Sequence, residues 1–270
     1  MAKTLIYQVA LGDSKLYDWC TDSVKQYAKR IDSEYLLQKT PILKIMPDVT
    51  VSNRNSRAIE MFGCLPIWEK WNAFDILLKD DKYDQVLIID ADVYIRDDAP
   101  NIFDELPLGF DFGGILETTM PITDAHRKKV AAYSIGQYSS IANKGINHWI
   151  RDPKTGYDFW NMGVMLINRS FISYFPDHIT SIRDFILQDE FRDFIDGKGN
   201  WKWSTDQTVS NWWIRKEKLK TKNLDWKFNA LYRAIEDKYI KEAHFVHFFL
   251  KSYLPGKGER VDILSNIIKR

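Results

Sequence analysis

The sequence predicts an α/β fold: a mostly parallel, Rossmann-like central sheet flanked by helices, with a helical elaboration toward the C-terminal end. Three observations carry this. Over roughly the first 90 residues, short apolar runs alternate with stretches of helical periodicity, the pattern of strands joined by crossover helices. The run Val86–Ile89 is apolar at every position, as expected of a strand covered on both faces. No Pro- or Ser-rich stretch divides the 270 residues, of which 45% are hydrophobic, so one domain spanning 1–270 with a large core is expected.

The elements follow in order. Thr4–Val9, "TLIYQV", reads as the first strand. Leu16 to Ile31 places Leu16, Trp19, Val24, Tyr27 and Ile31 on one helical face. "EYLLQ" at 34–38 is a second strand. Residues 66–79 open on Pro66, a favourable first-turn residue, and carry Ile67, Trp71, Phe74, Leu77 and Leu78 as an amphipathic helix. After the strand at 86–89, Pro100–Leu106 is a short helix and 110–117 a strand. Residues 120–150 mix basic residues with Tyr, Ser and Gly and read as a loop. "GVMLINRS" at 163–170 is a strand, and 177–195 a helix. Ser204–Lys216 is a helix whose Ser204 and Gln207 fit a capping box. "AHFVHFF" at 243–249 is a late strand, and "RVDILSNIIKR" a closing amphipathic helix. No internal repeat or low-complexity segment is present.

Composition excludes several classes. The formal charge is +1, which argues against a general nucleic-acid binder. Cys20 and Cys64 are too few for a disulfide framework, and no Cys/His zinc spacing occurs. The opening apolar run is too short for a signal peptide, and no stretch approaches the ~18 apolar residues of a membrane span, so a cytoplasmic location is expected. Ten tryptophans, with Trp201, Trp203, Trp212 and Trp213 close together, suit helix packing or a stacking wall for a ring.

The chemistry concentrates in "VLIIDADVYIRDD", residues 86–98. Ligands of open parallel sheets sit beyond the carboxyl ends of the strands. Residues i and i+2 of a strand share a face, so Asp90 and Asp92 can converge there. Two adjacent anions call for a cation, and a divalent ion held by two carboxylates keeps open positions for phosphate oxygens. The plainer alternative is that Asp90 ends the strand and Asp92 starts a turn. An EF-hand is excluded, because position 94 is Tyr and no Gly follows at 95. Asp97 and Asp98 suit a solvated turn and a cap for the helix at Pro100.

The segment "KYDQVLIIDADVYIRDDAPNIFD" resembles the D-x-D region of GT-A glycosyltransferases, especially the retaining family of glycogenin and the bacterial lipopolysaccharide galactosyl- and glucosyltransferases. Further matches follow in that family's order. "KWNAF" resembles a Lys-x-x-x-Phe segment whose lysine, here Lys70, reaches the donor. "FWNMGVMLINRS" is similar to a Phe-Asn-Ser-Gly-Val-Met-Leu strand, so Asn161 would contact the donor sugar, Met162 stands where the family has Ser, and Gly163 would let the backbone approach a ligand. "STDQTVSNWW" resembles an Asp-Gln pair, with Asp206 on sugar hydroxyls and Gln207 near the reacting face. "HFVHFFLKSYLPGKG" is similar to a late strand ending in His-Phe, which assigns His247 to the metal with His244 facing the other way. It departs from the family in having Leu250 for Gly and no Lys-Pro-Trp, leaving either Lys251 or Lys257 for the diphosphate, with the Gly256 and Gly258 context favouring Lys257. At the N-terminus, "YQVALGDSKLY" puts Tyr17 at a base-stacking position, with backbone groups of Gln8, Val9 and Ala10 on the base edge.

The resemblance implies a GT-A fold with a nucleotide-binding half (1–117), a donor-sugar and acceptor half (118–258) and a C-terminal helix (259–270). It implies a UDP-sugar donor held by Ala91 with its flanking aspartates, Mn²⁺ (Mg²⁺ as the alternative) on Asp90, Asp92 and His247, and transfer to a glycan, protein or lipid-linked acceptor hydroxyl with retention. The competing classes are a haloacid-dehalogenase-type phosphohydrolase, which also uses a strand-end Asp-x-Asp, and a non-catalytic sugar-binding protein of the same fold.

Overall fold

The computed structural model describes residues 2–49, 53–142, 146, 148–197 and 205–268. Its elements are β1 (Thr4–Val9), α1 (Lys15–Arg30), β2 (Glu34–Gln38), α2 (Asn53–Phe62), α3 (Asn72–Lys79), β3 (Gln85–Asp90), β4 (Val93–Ile95), β5 (Phe112–Leu116), α4 (Asp124–Ala142), β6 (Trp160–Asn168), α5 (Ile182–Ile186), α6 (Asp189–Asp196), α7 (Thr205–Lys216), β7 (Thr221–Asn223), β8 (Ala230–Leu231), β9 (Phe245–His247) and α8 (Val261–Ile268). Among the described residues the main sheet has the order β2-β1-β3-β6-β5-β7, and a small sheet has the order β4-β9-β8.

The main sheet is mostly parallel, as the sequence predicts. Strands β2, β1, β3, β5 and β7 run one way, and β6 alone is antiparallel to its two neighbours. Strand β3 lies between β1 and β6, and Val86, Leu87, Ile88 and Ile89 are all buried there. This is why the run carries no polar alternation: both faces meet apolar side chains. The reversal of β6 brings the beginning of that strand to the rim where β1 and β3 end, next to Val9 and Asp90.

Several boundaries differ from the sequence reading for physical reasons. Residues 66–79 are not one α-helix: Pro66–Trp71 is a 3-10 segment that continues into α3. Trp68 and Trp71, three apart and both buried, meet along one edge of this tighter turn, their rings tilted by 56° with centroids 5.7 Å apart. Residues 120–150 are not a loop, since α4 fills Asp124–Ala142. Its buried face is Val130, Ser134, Gln137, Tyr138 and Ile141, at helical spacing but half polar, so an apolar pattern alone does not mark it. The expected helix at 177–195 is two, α5 and α6, the second closed by Gly197 at φ +68°. The turn Ile102–Glu105 is capped by Asn101, whose side chain accepts from Phe103 N at 3.1 Å, rather than by Asp97 or Asp98, which are exposed. Strands β4, β7 and β8 and helix α2 were not foreseen.

Trp212 and Trp213 answer the question of the tryptophan cluster. Both are buried, Trp213 stacked on Phe175 with centroids 5.0 Å apart and Trp212 against Phe191 and Phe194, so these two pack helices together. Trp201, Trp203 and Ser204 lie outside the described residues.

One buried acid fixes the loop after β2. Glu69, fully buried in the 3-10 segment, accepts from the backbone N–H groups of Ile42 (2.7 Å), Leu43 (3.1 Å) and Lys44 (2.8 Å) and from Gln38 Nε2 (2.7 Å). Burying a carboxylate is costly unless donors surround it, and here they do.

Candidate active site

Asp90 is the last residue of β3, and Asp92 sits in the turn that leads into β4. Strand β4 pairs antiparallel with β9, with Val93 opposite His247, and Phe248 N donates to Asp92 O at 2.8 Å. This short ladder carries the late histidine to the early aspartates. His247 Nε2 lies 3.2 Å from Asp92 Oδ1 and 3.9 Å from Asp90 Oδ2. Among the described residues these three form the one cluster of His, Cys, Asp and Glu whose ligand atoms all lie within 4.8 Å of one another. His244 faces away and packs on Phe228, centroids 5.2 Å apart.

The electrostatics of the cluster follow from what faces what. Burial opposes a charged His247 ring, but Asp92 and Asp90 outweigh it and raise its pKa. Burial likewise opposes the Asp92 carboxylate, yet His247 and Lys251 hold its pKa below the usual value. At Asp90 burial prevails over Lys70 and His247, and its pKa is raised. The donor set, two carboxylate oxygens and one imidazole nitrogen, fits a divalent cation that accepts both oxygen and nitrogen ligands.

Lys70 stands on the opposite side of Asp90. Its ammonium contacts Asp90 Oδ1 at 2.7 Å, Asp206 Oδ2 at 3.0 Å and the Met162 carbonyl at 3.1 Å, so all three protons are engaged. Burial acts to lower its pKa, but the two carboxylates raise it overall. Asp206 enters from the first turn of α7. Gln207 beside it accepts from Met162 N at 3.4 Å and donates to the Tyr133 hydroxyl at 3.4 Å.

The segment around Asn161 leaves the regular ladder. The β5–β6 register jumps between Gly114, opposite Met165, and Ile115, opposite Asn161. Such an irregularity re-aims side chains at a sheet rim. Asn161 Oδ1 accepts from Gly163 N at 3.0 Å, and its Nδ2 donates to Glu117 Oε2 at 3.3 Å. Gly163 matters for a reason the sequence does not show: a Cβ there would lie 2.3 Å from His247 Cε1 and 2.5 Å from Nδ1. Gly163→Ala is therefore expected to push the imidazole out of place and to weaken, by at least about 10-fold, the binding of any divalent cation that these three groups hold, as measured by calorimetric titration with Mn²⁺.

These residues border a cleft of about 640 Å³. Its walls include Val9, Tyr17, Lys70, Asp90, Ala91, Asp92, Asn161, Met162, Gly163, Asp206, Gln207 and His247 from the sequence reading, together with the apolar Leu11, Phe62, Ile67, Phe249 and Leu250. Gln8 is buried behind it: its Nε2 donates to Asp90 O (3.0 Å) and its Oε1 accepts from Tyr35 (2.7 Å). The Ala10 N–H is held by Gln38 O at 2.9 Å. Neither candidate lysine borders the cleft itself: Lys251 Nζ lies 3.2 Å from the centre of the ring of Tyr17, which does, whereas Lys257, the one its glycine neighbours favour, is exposed, at φ +56°. Leu250, where the resemblance has glycine, keeps a left-handed backbone at φ +57°.

A larger hollow of about 880 Å³ lies beside Trp149, Trp160 and Arg215. Arg215 there sits 4.1 Å from each indole and pairs with Asp158, so its charge is already matched. The converging acids are in the smaller cleft, and we place the chemistry there. Glu117, Tyr133 and Asn229 are site neighbours that sequence reasoning missed; none stands in a motif.

No protein-family model matches the chain, and no curated protein sequence does. Solved structures do. A glycosyltransferase involved in glycosylation of the major capsid of PBCV-1 superposes with a TM-score of 0.57 at 13% identity, covering 98% of this chain and 99% of the other. The galactosyltransferase LgtC, solved with donor and acceptor sugar analogues, gives a TM-score of 0.51 at 13% identity over 98% and 95% of the two chains. With its single reversed strand in a mostly parallel sheet, and with end-to-end superposition on both, this chain has the GT-A-type fold of those glycosyltransferases.

Proposed function

We propose that this protein is a glycosyltransferase that moves a sugar from a nucleotide-sugar, specifically a UDP-sugar, to an acceptor hydroxyl with retention. The observation that carries the reading is the meeting of Asp90, Asp92 and His247 at the carboxyl rim of the sheet, beside a cleft large enough for a ligand. A divalent cation bound there would neutralise charge on the departing diphosphate, and the imidazole beside two carboxylates favours Mn²⁺ over Mg²⁺. Retention is carried over from the family resemblance.

The chain's own side chains have separable tasks in this reading. Tyr17 offers a ring face to the base, and Lys251 beside it brings positive charge near Asp92, where a diphosphate would lie. Lys70 ties Asp206 to Asp90 and so holds the sugar-facing acid in place. Gln207 is oriented by Met162 N and Tyr133. The apolar wall of Phe62, Ile67 and Phe249 excludes water from the transfer step.

The test is a screen of UDP- and GDP-sugars for nucleotide release, with and without Mn²⁺. Mn²⁺-dependent release of UDP supports the reading. Phosphate release from phosphomonoesters instead would indicate a phosphohydrolase, and binding without release a sugar-binding protein.

Proton and cation compete for His247 Nε2. Because aspartates raise this ring's pKa above 6.5, the metal-free protein gains stability from the charged ring below that value and loses it as pH rises through the raised pKa. Mn²⁺ affinity is expected to move the opposite way, increasing with pH over the same window, and calorimetry at several pH values checks it.

A further inference from the structure

We propose that Asn229 is a positioning residue that selects the tautomer of His247 and so sets the affinity of the site for a divalent cation. Asn229 is fully buried and stands at the end of a 3-10 turn just before β8, which pairs with β9 next to His247. Its Oδ1 is 3.0 Å from His247 Nδ1, and its Nδ2 is 2.9 Å from Asn161 Oδ1.

Amide and imidazole orientations are ordinarily ambiguous, but here two groups of fixed polarity decide them. The Gly163 backbone N–H can only donate, and it points at Asn161 Oδ1. The Glu117 carboxylate accepts from Asn161 Nδ2 on the other side. Asn161 is thereby fixed with its oxygen toward Asn229, and Asn229 must present its NH₂ to that oxygen. Its own oxygen then faces the imidazole and accepts only if Nδ1 carries the proton. Asp92, 3.2 Å from Nε2, can only accept and competes for the same proton in the metal-free ring; a cation in that place would remove the competition, leaving Nδ1–H on Asn229 and the Nε2 lone pair free to ligate. The Gly163 N–H and the Glu117 carboxylate thus fix Asn229 as the acceptor that supports ligation through Nε2.

The chain of bonds also revises the part given to Asn161. Both lone pairs of its oxygen and one of its amide protons are committed within the protein. Its first task is to orient Asn229, and only one N–H remains for a sugar.

For cation affinity this inference rests on the metal reading above; the tautomer can be measured without any cation. Long-range ¹H–¹⁵N spectra of the metal-free protein, at a pH where His247 is neutral, should show a measurable Nδ1–H fraction beside the Nε2–H form that Asp92 favours. Asn229→Leu removes the acceptor and is expected to lose that fraction and weaken Mn²⁺ binding about 10- to 100-fold, read from free Mn²⁺ by electron paramagnetic resonance. Asn229→Asp keeps an oxygen against Nδ1 but loses the donor to Asn161 Oδ1, and is expected to retain the Nδ1–H fraction and to bind Mn²⁺ more weakly than the unaltered protein but more tightly than the Leu variant, so a general packing role is distinguished from an acceptor role. Nδ1–H persisting in the Leu variant, or equal losses in the Leu and Asp variants, would overturn the proposal. An unaltered protein that shows the Nδ1–H form yet binds no Mn²⁺ would support the positioning and overturn the metal reading instead.

Discussion

Asp92→Asn is expected to abolish Mn²⁺-dependent nucleotide release, with a fall of about 10²-fold or more, while leaving the fold in place. Asp92 contributes one of the two carboxylates facing His247 Nε2, and its pKa is held low by that ring and by Lys251. An amide at this position removes the charge but not the volume. Its NH₂ can donate to the Nε2 lone pair across the same 3.2 Å, and the bond from Phe248 N to the backbone oxygen of residue 92 is unaffected. Thermal stability of the metal-free protein should therefore change by no more than about 1–2 kcal/mol. The check is UDP release from a UDP-sugar across a Mn²⁺ series, alongside a melting curve. Turnover equal to that of the unaltered protein would end the assignment of Asp92 to a cation site.

Glu69→Ala is expected to be the most destabilising single change described here, at about 3–4 kcal/mol in urea unfolding. It strips partners from three backbone N–H groups in the loop after β2 and from Gln38. Gln38 itself belongs to a buried set with Tyr7 and Asn72, so the loss spreads beyond the loop. Glu69→Gln retains the shape and one acceptor and should cost less. Because Pro66 and Ile67 border the cleft from the same 3-10 segment, UDP binding should weaken in parallel. An Ala variant within about 1 kcal/mol of the unaltered protein would show that the loop is held by other contacts.

What could be read from the sequence divides along physical lines. Strands β1 and β2 fall where the apolar runs place them, and β3 extends its run by one residue at each end. β1 and β3 are interior strands buried nearly throughout, so composition reports position, whereas β2 is a partly exposed edge strand marked by its short apolar run alone. The helix α4 was missed because its buried face includes Ser134, which donates to Ala131 O and accepts from Tyr157 N, and Gln137. The convergence of Asp90, Asp92 and His247 was legible because strand-end acids and a late histidine follow a family order. Asn229 was not: it stands alone in "WKFNALY", and only the two-residue β8 pairing with β9 brings it to the imidazole. The preference between Lys251 and Lys257 likewise needed the turn geometry, which puts one over Tyr17 and leaves the other in solvent.

The pairing of β4 with β9 makes the cluster a seam between distant parts of the chain. During synthesis the early aspartates emerge long before the histidine that completes their set, and that histidine gains its seat only when the last strand zips onto β4. On the proposed reading, a divalent ion would be held by all three groups only once the late segment has docked.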